Sequence, residues 1–230
     1  MKDAIILAGG LGTRLRSIVP DLPKPMAPVA GRPFLELLLG SLEAKGFGHV
    51  VLSLGYKAGL IVDHFGECFG GIALKYAVES TPLGTGGALR QSLSLCVADH
   101  VFVFNGDTYL DLDFALLEAQ WQRHRRPIIV GRQVDDTQRY GRLSVDGGRV
   151  TRIESGVRGP GLINAGCYVL PADILASGPA LERFSFETEF LAGAVTHAHF
   201  EIFVSGGHFI DIGIPEDYLR AQTELQHLVR

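Results

Sequence analysis

The sequence predicts an α/β fold, a mixed but mainly parallel sheet flanked by helices, with a small antiparallel appendage. Three observations point there. Short apolar runs alternate with amphipathic stretches four times through the first half of the chain, the pattern of strand–helix–strand units whose strands lie parallel. After Val134 that alternation gives way to a hairpin signal and late strands. The chain has 230 residues, 47% of them hydrophobic and 20% charged, so it can bury one large core and is too apolar for disorder.

The strand-like runs are Asp3–Ala8, His49–Leu54, Ala73–Val78, His100–Phe104 and Arg126–Arg132, and the helical stretches between them are Pro33–Lys45, Ala58–Phe65, Thr85–Leu95 and Asp113–Arg123. Pro33 suits a first helical turn, where the missing N–H is unpaired in any case. Asp113, ahead of an apolar run, reads as an N-cap. Arg142–Val145 and Val150–Ile153 flank Asp146-Gly147-Gly148, a hairpin turn. Asn164–Leu170 and Glu201–Val204 read as strands that rejoin the main sheet, and Pro215–Val229 as a C-terminal helix. No repeat, low-complexity tract or Pro/Ser-rich linker divides the chain. It reads as one domain, with residues 1–133 and 134–230 as two functional halves.

A net charge of −4 argues against a nucleic-acid partner, which calls for a basic face, but leaves room for a small phosphorylated substrate. No apolar run approaches the length of a bilayer span, so no membrane partner is expected. The start, Met1-Lys2-Asp3-Ala4, lacks signal-peptide architecture, which makes the cytoplasm the expected address. Cys68, Cys96 and Cys167 are odd in number and scattered, the usage of buried, inert thiols in a reducing compartment. His197-Ala198-His199, if a strand, would put two imidazoles on one face, but without a third ligand nearby it reads as surface or packing. Asp111-Leu112-Asp113 and Asp135-Asp136 read as caps and solvated turns. Neither Gly-x-Ser-x-Gly nor His-Glu-x-x-His occurs, so hydrolase mechanisms built on them find no support.

The chemistry concentrates at strand ends. Leu7-Ala8-Gly9-Gly10-Leu11-Gly12-Thr13-Arg14-Leu15 runs a buried strand into three glycines, a hydroxyl and an arginine. Glycines let several backbone N–H groups approach one phosphate, and Arg14 adds a planar charged fork. The turn is neither a Walker A loop nor Gly-x-Gly-x-x-Gly. Pro23-Lys24-Pro25 fixes a lysine between two prolines that stiffen the backbone and forbid a helix there. Glu79-Ser80-Thr81-Pro82-Leu83-Gly84-Thr85 is a second glycine-containing loop at a strand's carboxyl end. Asn105-Gly106-Asp107 and Asp211-Ile212-Gly213 each place an aspartate after an apolar run, the hard oxygen donor that suits Mg²⁺. Singly each aspartate reads as a cap or turn residue; as a pair they favour a metal.

Taken in order, Leu-Ala-Gly-Gly-x-Gly-Thr-Arg-Leu, Pro-Lys-Pro, Pro-Leu-Gly-Thr-Gly-Gly-Ala, Asn-Gly-Asp, Asn-Ala-Gly and Asp-Ile-Gly-x-Pro resemble the sugar-1-phosphate nucleotidyltransferases from Ala4 to Tyr218. Within that family the chain is most similar to the short guanylyltransferases of manno-configured sugars. The resemblance implies a Rossmann-like sheet, the appendage lying on its sugar side. It implies transfer of a nucleoside monophosphate from an NTP to a sugar 1-phosphate such as mannose or D-glycero-α-D-manno-heptose 1-phosphate. The products are pyrophosphate and a nucleotide sugar of the kind used for surface polysaccharides. By similarity, Leu7, Gly9, Gly10, Gly12, Thr13, Glu79, Pro82, Leu83, Gly84 and Thr85 bind the nucleotide. Arg14 grips the departing pyrophosphate, Lys24 neutralises the α-phosphate, and Asp107 and Asp211 hold Mg²⁺. Gly106, Gly141, Glu154, Asn164, Gly166 and Glu187 fall on the sugar-phosphate side.

One departure stands out. Many relatives carry a phosphate-binding lysine directly after the position of Glu154, where this chain has Ser155; Arg158 or Arg152 is the candidate replacement. A carboxylate at Glu79 can accept from N1–H and N2–H₂ of guanine, which favours GTP. Two readings compete: the same reaction with dTTP, UTP or CTP, and a nucleotide-sugar sensor without catalysis. Arg14, Lys24, Asp107 and Asp211 together speak against the sensor. Oligomeric state stays open, a homodimer being a common assembly.

Overall fold

A computed structural model describes residues 2–10, 12–15, 17–176 and 178–229. Ten strands form one sheet, in the order Gly141–Asp146, Arg149–Ser155, Phe200–Ser205, Ile128–Val134, Gly161–Pro171, His100–Asn105, Lys2–Leu7, Phe47–Leu54, Ile72–Val78, Cys68–Phe69. The four contiguous strands from His100–Asn105 to Ile72–Val78 run parallel. Their side chains alternate between two cores, as the pleat requires. Ala4 and Ile6 enter the core beneath helices Phe34–Ala44, Ala58–Phe65, Phe114–His124 and Pro215–Glu224; Ile5 enters the other, beneath Gly84–Leu93 and Ala192–His197.

Chain order fixes where a ligand can sit. From the first strand the chain winds outward through Phe47–Leu54 and Ile72–Val78, then returns to pair His100–Asn105 on the opposite side of Lys2–Leu7. The crevice beyond Leu7 and Asn105 is therefore a topological switch point, where open α/β sheets bind ligands.

The second half departs from simple alternation. Gly161–Pro171 runs antiparallel between His100–Asn105 and Ile128–Val134. The hairpin Gly141–Asp146/Arg149–Ser155 turns at Gly147-Gly148, as its sequence predicts. It extends the same sheet, pairing Arg149 and Val150 with Glu201 and Phe200, and Arg142 with Ile163. Asp113 caps its helix by accepting from Leu116 N–H at 3.0 Å. Asp136 accepts from Gln138 and Gly159 N–H in a turn. The C-terminal helix is shorter than expected, Pro215–Glu224 followed by a 3₁₀ turn Gln226–Val229. Its Tyr218 hydroxyl donates to Pro28 O, and Gln222 bonds Ala30 N–H and Pro28 O.

Two expectations are corrected. His197 ends a helix and His199 precedes the strand Phe200–Ser205, so the imidazoles do not share a strand face. Of the three thiols Cys167 is buried and Cys96 half-buried, but Cys68 is exposed. Burial pushes the Cys96 thiol up to about 12 and that of Cys167 further still, so both stay protonated and inert. Among the described residues no helix is long and apolar enough to cross a membrane.

Candidate active site

Two cavities adjoin at the switch point. The first, about 420 Å³, is lined from the ends of all four parallel strands by Leu7, Ser53, Glu79 and Asn105, with Gly9, Gly10, Gly12 and Thr13 from the first turn and Pro82, Gly84 and Thr85 from the second. Leu11, in the middle of the expected phosphate turn, lies outside the described residues. Gly106 closes the floor, its N–H donating to Leu7 O at 2.9 Å. A Cβ there would lie 2.8 Å from Leu7 O and 3.0 Å from Ala8 Cβ, so only glycine lets the two strand ends approach this closely.

Glu79 is held rather than free. Its Oε2 accepts from Leu83 N–H at 2.8 Å, and Leu83, expected against the nucleotide, is that donor rather than a lining residue. Thr85 is likewise engaged: its hydroxyl donates to Glu187 Oε2 at 2.7 Å and accepts from Phe186 N–H at 2.8 Å. Glu187 lies on a π-helix, Phe186–Leu191, capped by Ser185, and lines both cavities. Short π segments recur at functional sites.

Lys24, Asp107 and Asp211 meet where the cavities join. Contrary to the expectation from the flanking prolines, Lys24–Met26 form a single 3₁₀ turn; Pro25 fits because the first turn leaves its N–H unused. The Lys24 ammonium lies 2.5 Å from Asp107 Oδ2 and 3.9 Å from Asp211 Oδ1. Asp211 arrives through a two-stranded ribbon, Phe209–Asp211 paired antiparallel with Thr108–Leu110, and Ile212 N–H donates to Asp107 O. Burial and the Asp107 charge push the Asp211 carboxyl up, against the pull of Lys24, the Gly213 N–H and Arg139. Two converging carboxylates disfavour each other's charge unless a cation lies between them. That place is taken by an ammonium here, and the donor set, two carboxylates open to phosphate oxygens, suits Mg²⁺.

The second cavity, about 440 Å³, is bounded by Arg139, Tyr140, Gly141, Ser155, Asn164 and Tyr168. Between Asn164 and Tyr168 the long strand bulges at Ala165-Gly166-Cys167, where the pairing with Ile128–Val134 slips. Gly166 has φ +68°, and a Cβ there would meet the Asn105 amide at 2.5 Å. The Asn164 side chain spans the bulge, Oδ1 accepting from Gly166 N–H at 3.1 Å and Nδ2 donating to the Tyr168 hydroxyl at 2.7 Å. Burial and the Asp211 charge push the Tyr140 phenol up to about 12, so it stays protonated at neutral pH and can offer the cavity a hydrogen bond.

Arg14, Asn105, Asp107 and Glu187 line both cavities. Gly106, expected on the sugar side, lines the first. Glu154 and Arg158 line neither. Ile153 and Ser155 face the second cavity, whereas Glu154 between them pairs with Arg152 at 3.2 Å, as strand alternation dictates. Sequence reading missed Ser53 and Arg183 in the first cavity and Arg139 and Tyr140 in the second. Only Tyr140, directly before the expected Gly141, had a positional signal.

A model of the Nucleotidyl transferase family matches residues 3–227. The chain belongs to that family. It is 40% identical to the D-glycero-α-D-manno-heptose 1-phosphate guanylyltransferase of Aneurinibacillus thermoaerophilus, over 99% of this chain and 100% of the relative. It is 42% identical to the protein of the same description from Campylobacter jejuni, over 94% and 96%. Among solved structures, HddC from Yersinia pseudotuberculosis complexed with GMP-PN is 40% identical, with a TM-score of 0.86 over 98% of this chain and 100% of that one. A nucleotidyl transferase must bring two anionic substrates together at one phosphorus. Adjoining cavities that share Arg14 and Asp107 meet that geometric demand.

Proposed function

We propose that this nucleotidyl transferase moves GMP from GTP to D-glycero-α-D-manno-heptose 1-phosphate in the cytoplasm. The observation that carries the reading is the junction of the two cavities at Lys24, Asp107 and Asp211. Full-length likeness to heptose 1-phosphate guanylyltransferases supports the choice of substrates.

GTP occupies the first cavity, its phosphates against the turn from Gly9 to Thr13 and its base toward Glu79, whose Leu83-bound carboxylate is fixed to accept from guanine. The sugar phosphate occupies the second cavity. Its phosphate oxygen attacks the α-phosphorus while the bond to the β-phosphate bridging oxygen breaks, and pyrophosphate leaves with the electron pair. No covalent enzyme intermediate forms. Lys24 follows the charge that builds on the α-phosphate, and Arg14 holds the departing pyrophosphate. Asp107 and Asp211 hold Mg²⁺, which supplies neutralisation of the crowded phosphate oxygens. Asn164 shapes the sugar cavity through its bulge, and Tyr140 and Glu187 face the sugar hydroxyls.

The test is pyrophosphate release by the purified chain with each of GTP, dTTP, UTP and CTP against heptose, mannose and glucose 1-phosphates, with and without Mg²⁺. GTP with the heptose phosphate gives the highest kcat/KM, and chelation abolishes turnover. Mannose 1-phosphate as the better acceptor would move the substrate assignment; no turnover with any pair would favour the sensor. Glu79→Gln lowers the preference for GTP over UTP and dTTP, and an unchanged preference would refute the role of Glu79.

A further inference from the structure

The proposed reaction brings a phosphate dianion into a cavity whose wall already carries Asp107, Asp211 and Glu187. Something cationic must receive it. Among the described residues only two cationic side chains, Arg14 and Arg139, line that cavity. Arg14 also faces the nucleotide cavity, where the triphosphate claims it. Arg152 is turned away with Glu154, and Arg158 does not reach the lining.

Arg139 is built asymmetrically. One edge of its guanidinium is anchored, Nη1 lying 2.5 Å from Asp217 Oδ2, a carboxylate of the C-terminal helix that also binds Arg220. The other edge, Nη2, reaches Asp211 Oδ2 only at 3.4 Å, well beyond the roughly 2.7–2.9 Å of a good charge-assisted hydrogen bond. The plane stands over the Tyr140 ring, 5.3 Å from its centroid. A guanidinium has five N–H donors, so one edge can stay on Asp217 while the other is offered to an anion.

Building on that functional reading, we propose that Arg139 binds the phosphate of the sugar 1-phosphate. Asp217 and Tyr140 fix its direction, and Asp211 holds the loose edge until the acceptor arrives. The deciding variant is Arg139→Met, assayed by pyrophosphate release with the KM of each substrate measured separately. The KM for the sugar phosphate rises by about 10- to 100-fold, the scale of one lost charge-assisted contact, while the KM for GTP stays within about 2-fold. Ser155 faces the same cavity, so Ser155→Lys added to Arg139→Met restores part of the loss. Should Arg139→Met fail to fold by its melting curve, Arg139→Lys carries the test with a smaller rise in the same KM. An unchanged sugar-phosphate KM, or an equal rise in both KM values, would overturn the assignment while leaving the proposed reaction standing. Absence of turnover by the unaltered chain would overturn both.

Discussion

Gly106→Ala tests whether the switch-point crevice is set by backbone contact. The new Cβ would sit 2.8 Å from Leu7 O, 3.0 Å from Ala8 Cβ and 3.1 Å from Ala8 Cα. Carbon contacts settle at about 3.5 Å or more, so a retreat of roughly half an ångström is required. Leu7 cannot supply it, because its strand is paired on both sides, with Phe47–Leu54 and with His100–Asn105. The segment that yields is Gly106-Asp107, and the 2.9 Å bond from Gly106 N–H to Leu7 O lengthens with it. Overpacking of this kind costs about 1–3 kcal/mol. For a chain of this size each kcal/mol lowers Tm by roughly 2–4 °C. Asp107 is carried away from Lys24 and Asp211, and misplacement on the ångström scale costs up to about 100-fold in kcat. The assays are a thermal melt and initial rates of pyrophosphate release. Gly40→Ala is the control: it lies in helix Phe34–Ala44, and a Cβ there meets nothing within 4 Å among the described residues. It should gain about 0.5–1 kcal/mol. A Gly106→Ala protein with unchanged Tm and kcat would refute the close-approach reasoning; loss of Tm with full kcat would refute the link to Asp107.

Other outcomes follow from the charges. Lys24→Met lowers kcat by about 100- to 1,000-fold, the scale of losing one electrostatic stabiliser. It also leaves Asp107 and Asp211 without their ammonium, so added Mg²⁺ raises Tm more than in the unaltered chain; an equal rise would refute the shared cation position. Burial works against the Glu201 charge, but His124 and Gln120 outweigh it and hold the carboxyl below its usual range. A depressed carboxylate stabilises the fold above its unfolded value, near 4.3 for glutamate, and that contribution is lost as pH falls through the folded value. Glu201→Gln should therefore cost about 1–3 kcal/mol at neutral pH. The gap narrows as denaturation is followed below about pH 4.3, and a gap independent of pH would count against the pair.

The parallel half of the fold was legible because its strands are mostly apolar and alternate with amphipathic helices, a local pattern that survives even where Lys75 interrupts a strand. The phosphate turn and Lys24 were legible as residue types and the two aspartates as a pair, but the contact of the Lys24 ammonium with both of them was not. Their convergence depends on the ribbon that pairs Asp211 with Thr108, three residues on each side and too short to leave a period. The antiparallel position of Gly161–Pro171 was hidden for a related reason: a strand's own pattern does not reveal which way its neighbours run. Glu154 shows the finer limit, since one step along a strand reverses the face a side chain takes. The π-helix under Glu187 is set by tertiary hydrogen bonds, Thr85 to Glu187 and to Phe186, that join distant segments. Arg139 gave no signal because nothing about an arginine in a loop says which carboxylate will hold it.

The C-terminal helix Pro215–Glu224 has a consequence for motion. It follows directly on Asp211, grips Arg139 through Asp217, and is hydrogen-bonded through Tyr218 and Gln222 to the Pro28–Ala30 stretch just beyond Lys24. Three charged parts of the site, Lys24, Arg139 and Asp211, are thus joined to one helix directly or through adjacent backbone. A tilt of that helix would therefore act on Arg139 through Asp217 and on the neighbours of Lys24 and Asp211 at the same time.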